Sequence, residues 1–271
     1  MPARERGAFA VSTMAVAAIA ALLLALPVVA LVARAVANGL LPADGGVHAV
    51  ADALLLSLAT TAASLLVTIV LGTPLAYVLA RRHVPGAALL ESIVDLPIVL
   101  PPSVAGLALL LLLGRRGALG GALGAFGVEL PFTTAAVVIA QAFVSAPFFI
   151  RSARTGFASV DRDLEDAARA DGATEAQVVR SITLPLAGAS LAAGLVMTWA
   201  RSLGEFGATI LFAGNVAGRT QTLPLVVYGE FQGGDLDASI AAATILVVAA
   251  LAVLVAVRTL GWGRALVGPG A

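Results

Sequence analysis

The 271-residue sequence contains no cysteine and only two histidines. Without cysteine there are no disulfides, thiolate metal ligands or thiol nucleophiles, and the redox compartment stays unread. Lysine is also absent, since every one of the 16 basic residues is an arginine. A Gly-rich phosphate loop of the G-x-x-x-x-G-K-[ST] kind is thereby excluded, because its lysine reaches the terminal phosphates of ATP. If this chain works with ATP, a partner must bind it. His48 and His83 fall in or near loops without metal-ligand company and read as surface residues. Charge is scarce as well, at 12% of residues against about 25% in soluble domains. The 16 acidic residues cancel the basic ones, so no global charge favours nucleic acid.

What remains is apolar. Hydrophobic residues make up 60% of the chain, which excludes a water-soluble globular fold. Apolar runs occur at about 10–33, 53–80, 88–113, 132–150, 186–212 and 238–258, each near or above the roughly 18 residues that a membrane crossing needs. The expected fold is all-α and polytopic, with six transmembrane helices in a single domain over 1–271 and a core over roughly 52–258. Arg4 and Arg6 precede the first run and Ala35-Val36-Ala37 follows it, as in a signal peptide. The run exceeds the roughly 7–15 residues of a signal core, so the expectation is a retained helix.

Arginine placement sets the orientation. With the N-terminus in the cytoplasm, Arg4, Arg6, Arg81, Arg82, Arg151, Arg154, Arg162, Arg169, Arg180, Arg258 and Arg264 fall inside, whereas Arg34, Arg115, Arg116 and Arg219 fall outside. Both termini are therefore expected in the cytoplasm. The third run is interrupted: Pro97, Pro101 and Pro102 remove backbone donors and break the i to i−4 ladder. Such backbone at membrane depth must be buried in protein or line a wet cavity. Two readings stand, a re-entrant or interfacial approach to a helix starting near Ser103 and a broken pore-lining helix. The Gly-Ala-Leu-Gly repeat at 117–124 reads as a flexible outer turn.

The longest polar stretch, Gly156–Thr183, carries nine of the charged residues and cannot cross a bilayer. Its local signals are nonetheless ordered. Asp161 is placed to cap a helix; Leu164, Ala167 and Ala168 share a face at i, i+3 and i+4; Glu165 stands four residues before Arg169. Gly172 supplies a left-handed helix end, Thr174-Glu175-Ala176-Gln177 forms a capping box, and Val178, Val179 and Ile182 make the next apolar face. Pro185 marks the start of the fifth run. The expected unit is helix, glycine turn, helix at the inner membrane surface, over 156–184.

Here the sequence resembles the permease subunits of binding-protein-dependent ABC importers. Their signature, E-A-A, three residues, G, nine residues, I-x-L-P, is matched in spacing by Asp166-Ala167-Ala168, Gly172 and Ile182-Thr183-Leu184-Pro185. Asp166 stands where the family usually has glutamate, which keeps the charge and shortens the reach. The stretches Ala200–Ile210, Ala213–Asn215 and Gly218–Pro224 resemble the oxyanion branch of that family, above all its molybdate permeases, with tungstate and sulfate permeases behind.

The resemblance implies that the polar segment is the coupling helix, with Leu164, Glu165, Asp166, Ala167, Ala168, Gly172, Ile182, Leu184 and Pro185 at the junction with an ATPase subunit. It further implies two ATPase subunits that carry ATP and Mg²⁺, an external oxyanion-binding protein, a homodimer of this chain with a pathway between its copies, and no catalysis or bound cofactor in the chain itself.

A pathway needs polar groups facing one interior. Ser57, Thr60, Thr61, Ser64 and Thr68 lie on one helical face, where helix packing competes with a pathway role. In the fifth run Thr198, Ser202, Glu205 and Thr209 recur at intervals of three or four, with Arg201 beside them. Ionisable residues at membrane depth are functional candidates by default. Arg201 and Glu205 either neutralise one another at i, i+4 or shape the field near a gate; Glu205 repels an anion and is no ligand for one. Together with Pro101, Pro102 and Ser103, these five are the candidate pathway or gate residues. A gradient-driven secondary transporter would show related halves and carboxylates spread through several spans, neither of which is visible. A membrane enzyme lacks its acids, histidines or thiols.

Overall fold

The computed structural model describes residues 3–39, 46–81, 85–257 and 259. Arg82, His83, Arg258 and Arg264, which entered the orientation and surface arguments, lie outside the described residues. Two long helices come first, α1 (Ala3–Ala37) and α2 (Gly46–Arg81), and α1 passes through Ala35-Val36-Ala37 without a break. Next come α3 (Ala87–Val99) and α4 (Pro102–Leu113), a short helix α5 (Gly120–Ala125), and α6 (Thr134–Ser159). The polar segment follows as α7 (Arg162–Ala170), α8 (Glu175–Val178), a π-turn (Val179–Thr183) and α9 (Leu184–Leu186). The chain closes with α10 (Gly188–Leu203), α11 (Gly207–Phe212), α12 (Leu223–Gly233) and α13 (Leu236–Val257). Among the described residues there is no strand.

Among the described residues four helices are long and apolar enough to cross a membrane, and the number reaches six if each of two bent pairs is one span. Those pairs refine the sequence reading. The run at 88–113 is bent by 116° between α3 and α4. Pro101 and Pro102 cause it, because a residue before proline is pushed out of the helical region, and Leu100 indeed sits at φ −67°, ψ 133°. The run at 186–212 is likewise two helices, separated at residues 204–206 where Gly204 caps α10 and the Glu205 carboxylate accepts the Ala208 N–H at the start of α11, 2.7 Å away. A bend of 71° also separates 175–186 from α10.

The central element is α6, which packs along α2 and α10. Its N-terminal half joins α4 and α11 in a core of Ala105, Leu109, Ala136, Val137, Ala140, Val144, Ala208 and Phe212. Its C-terminal half joins α2 and the start of α10 through Ala76, Phe149, Ile150, Ala153, Phe157 and Ala187. Small residues let α6 and α10 approach: a Cβ on Gly156 would fall 2.6 Å from Ser190 Cβ, and one on Gly194 2.8 Å from Ser152 Cβ. Ser152 Oγ donates to the Ser190 carbonyl across this seam at 2.6 Å. Helix α1, by contrast, packs against α13 and keeps most of its apolar side chains from Met14 to Val36 outward.

Candidate functional site

Local chemistry explains why the charged segment folds. Asp161 Oδ1 accepts the Asp163 N–H at 3.0 Å and opens α7. At the other end Gly172 holds φ +91°, its N–H donating to Arg169 O and the Ala173 N–H to Ala168 O, each at 3.0 Å. This pair of bonds is the Schellman ending that favours glycine. Two residues on, Gln177 Oε1 accepts the Thr174 N–H at 2.8 Å while Thr174 Oγ1 accepts the Gln177 N–H at 3.4 Å, so the capping box opens α8. Arg169 then ties the two helices across the turn, with Nε 2.8 Å from Glu175 Oε1 and Nη1 2.6 Å from Asp166 Oδ1. The hydrogen bond to Glu175 is the chief cause, ahead of that to Asp166, that holds the Arg169 guanidinium well above its ordinary value.

The result is an elbow whose outward surface sets Leu164 and Ala167 among exposed charges. Leu164 is 50% exposed, Ala167 is exposed and Ala168 half-buried. Asp166 and Pro185 are exposed, and Ile182 and Leu184 are half-buried. A side chain added at Gly172 would meet open space. Glu165 does the opposite. Read as an i, i+4 partner of Arg169, it lies 3.7 Å from that residue, yet it is 3% exposed and turned into the body of the protein. Its closer partners are Arg81 Nη2 at 3.0 Å and Thr183 Oγ1 at 2.7 Å. Neither was a candidate, because nothing in the local spacing joins positions 81, 165 and 183.

The intramembrane candidates divide. Thr198 and Ser202 lie on α10, Glu205 in the break and Thr209 on α11, and all four are buried. Ser202 Oγ donates to Ser145 Oγ at 2.8 Å and lies 3.0 Å from Ser64 Oγ, while Thr198 Oγ1 donates to the Ser145 carbonyl at 3.4 Å. One hydroxyl chain thus joins α2, α6 and α10. Ser57 caps α12 by accepting the Leu223 N–H at 2.7 Å, and all five hydroxyls of the α2 stripe are buried. Arg201 Nη1 stands 2.6 Å from Glu205 Oε2, the mutual ion pair that i, i+4 spacing allows. Pro101, Pro102 and Ser103 are exposed, and the structure brings two of them beside the second chain break. A Cβ on Gly207 would fall 2.8 Å from Pro102 Cβ and 3.2 Å from the Ser103 nitrogen. Sequence reasoning missed Gln141, buried on α6 with both amide atoms unpaired among the described residues. Its signal was a lone amide in an apolar run. Among the described residues no group of three or more His, Asp or Glu side chains is placed to hold a metal.

Residues 68–261 match the family described as binding-protein-dependent transport system inner membrane component. The chain is 44% identical over 205 residues to the molybdenum transport system permease protein ModB of Mycobacterium tuberculosis, covering 76% of this chain and 77% of that one. It is 37% identical over 201 residues to the sulfate transport system permease protein CysT of Salmonella typhimurium, covering 73% of each. Among solved structures, it superposes with a TM-score of 0.72 on a chain of a bacterial ABC transporter that imports the acidic polysaccharide alginate. That alignment covers 94% of this chain and 96% of the other at 20% identity, and speaks to the fold alone.

Proposed function

The chain belongs to the family of binding-protein-dependent transport system inner membrane components, and from that premise we propose that it is the membrane-spanning subunit of an ATP-driven molybdate importer in the cytoplasmic membrane. The observation that carries the transport reading is the elbow of α7 and α8. A segment too polar for the bilayer is capped at each turn and ordered around Gly172, yet it presents Leu164, Ala167 and Ala168 outward. An ordered surface that sets apolar groups among charges fits a groove on a partner, and two ATPase subunits holding ATP and Mg²⁺ supply that groove. The identity with the molybdenum permease, higher than that with the sulfate permease, supports molybdate as the cargo.

On this reading the elbow faces the cytoplasm and six crossings place both termini there. Two copies of the chain enclose the pathway, and an external binding protein delivers the oxyanion and sets most of the selectivity. The chain performs no hydrolysis itself. The test is the complete complex in proteoliposomes, with the binding protein supplied outside. Molybdate is expected to stimulate ATP hydrolysis and to be taken up. Stimulation by sulfate with none by molybdate would move the cargo within the family. Uptake that continues without the ATPase would overturn the importer reading in favour of a gradient-driven transporter.

A further inference from the structure

Side chains from two distant segments bond one buried carboxylate, and one of them ties in the end of a third. Arg81 is the last residue of α2, Val160 ends α6, Glu165 lies on α7, and Thr183 closes the π-turn that leads through α9 into α10. Arg81 Nη2 donates both to the Val160 carbonyl at 2.8 Å and to Glu165 Oε1 at 3.0 Å. The same Oε1 accepts from Thr183 Oγ1 at 2.7 Å. The Arg81 and Glu165 side chains are only 6% and 4% exposed, and Thr183 is fully buried. Thr183 is out of reach of a partner seated on the outer face of α7, and Arg81 and Glu165 show it only their edges, at the floor of a cleft also lined by Arg162, Asp166, Arg169 and Glu175. Their bonds run inward, from the elbow to the inner ends of three spans.

Charge-assisted bonds of this kind are short and directional, and the planar guanidinium fork serves two acceptors at once. The π-turn adds a second observation. Such turns are rare and occur mostly where a helix is interrupted for function, and this one holds the hydroxyl that reaches the carboxylate. We propose that Arg81, Glu165 and Thr183 form the joint that passes displacement of α7 to α2 and, through the π-turn, to α10. They are positioning residues for coupling, separate from the surface that binds the ATPase. The proposal rests on the importer reading above.

The test uses the complete reconstituted complex and the ratio of oxyanion taken up to ATP hydrolysed. Thr183→Val keeps the shape of the side chain and removes only the donor to Glu165. It is expected to co-purify with the ATPase at the wild-type level and to lower the ratio by roughly tenfold, while Thr183→Ser, which keeps the donor, retains the wild-type ratio. Glu165→Gln, which keeps an acceptor for Thr183 but loses the charge facing Arg81, is expected to lower the ratio as well. An unchanged ratio in both Thr183→Val and Glu165→Gln would overturn the joint and leave the importer reading intact. Loss of ATPase co-purification in Thr183→Val would overturn it too, by making the contact a support for the docking face. A wild-type complex with no ATP-dependent uptake would remove the importer reading and the joint together.

Discussion

The Arg201–Glu205 pair offers the sharpest energetic test, because its two readings predict different outcomes of one double-mutant cycle. Glu205 is 1% exposed and Arg201 28% exposed at membrane depth. Removing one member of a buried pair costs about 3–5 kcal/mol, chiefly by leaving the other charge uncompensated. Arg201 keeps some access to polar surroundings, so the lower end applies, about 3 kcal/mol, in line with the roughly 2.5–3.5 kcal/mol of placing an arginine at a helix centre in a bilayer. Glu205→Gln isolates this effect, because the amide oxygen still accepts the Ala208 N–H that Glu205 Oε1 now holds at 2.7 Å. At roughly 2–4 °C per kcal/mol for a chain of this size, its Tm in detergent should fall by roughly 6–12 °C. Arg201→Met leaves Glu205 without its counter-charge and should cost at least as much. The double variant Arg201→Met with Glu205→Gln buries no charge and should stand within about 1 kcal/mol of wild type. If the two losses simply add, the residues do not act as a pair and the ion-pair account fails. A double variant that regains stability but not uptake would assign the pair to the electrostatics of the pathway.

Two further outcomes follow from glycines whose surroundings differ. Gly172 has φ +91° and open space around it, so its requirement is conformational: Gly172→Ala and Gly172→Leu should each strain the turn by about 1–2 kcal/mol and reduce ATPase co-purification to a similar degree, and a much larger loss for leucine would show that bulk at the partner surface dominates. Gly106 has no such freedom, since a Cβ there would fall 2.7 Å from the Ala208 carbonyl oxygen and 2.8 Å from its Cα; Gly106→Ala should therefore cost roughly 1–3 kcal/mol in Tm measurements, against no change for Gly121→Ala, whose position is open.

What the sequence discloses here is what the chain decides locally. The caps of α7 and α8, the left-handed turn at Gly172 and the bend at Pro101 and Pro102 are each set by a few consecutive residues, and their signatures survive in the order of amino acids. The long spans were equally readable, because apolar length is a one-dimensional property, although the count reaches six only if each bent pair is one span. The partner of Glu165 was not. Arg169, four residues on, was the visible candidate, whereas Arg81 lies 84 positions away and becomes a neighbour only when α2 and α6 pack. The break between α10 and α11 was hidden for a related reason: the run at 186–212 looks continuous by hydropathy, and its interruption depends on Glu205 turning back to take the Ala208 N–H. Gly204 and Gly207 on either side of a membrane-depth glutamate were the available signal. The π-turn at Val179–Thr183 has no comparable signature.

The same contacts make α10 the span best suited to carry a movement inward from the elbow. Its 16 residues extend roughly 24 Å at 1.5 Å per residue. At the bend below it the two ladders meet at Ala187, whose N–H donates to Thr183 O and whose carbonyl accepts the Leu191 N–H, each 3.0 Å. A shift at Thr183 therefore reaches α10 through Ala187, which is buried in the core beside Phe149 and Phe157. Along its length Gly194 against Ser152 and Ser202 against Ser145 hold it to α6. At its far end the Arg201–Glu205 pair and the bond from Ala208 fix the break before α11, and α11 rests on Pro102, Ser103 and Gly106 of α4. The irregular backbone that the sequence placed at membrane depth and the break at 204–206 that it hid are thus in mutual contact, at the end of a helix whose other end meets the Glu165 joint. A rod anchored in this way transmits displacement with little loss in its middle, so substitutions that loosen either end should uncouple transport more than those that merely soften its centre.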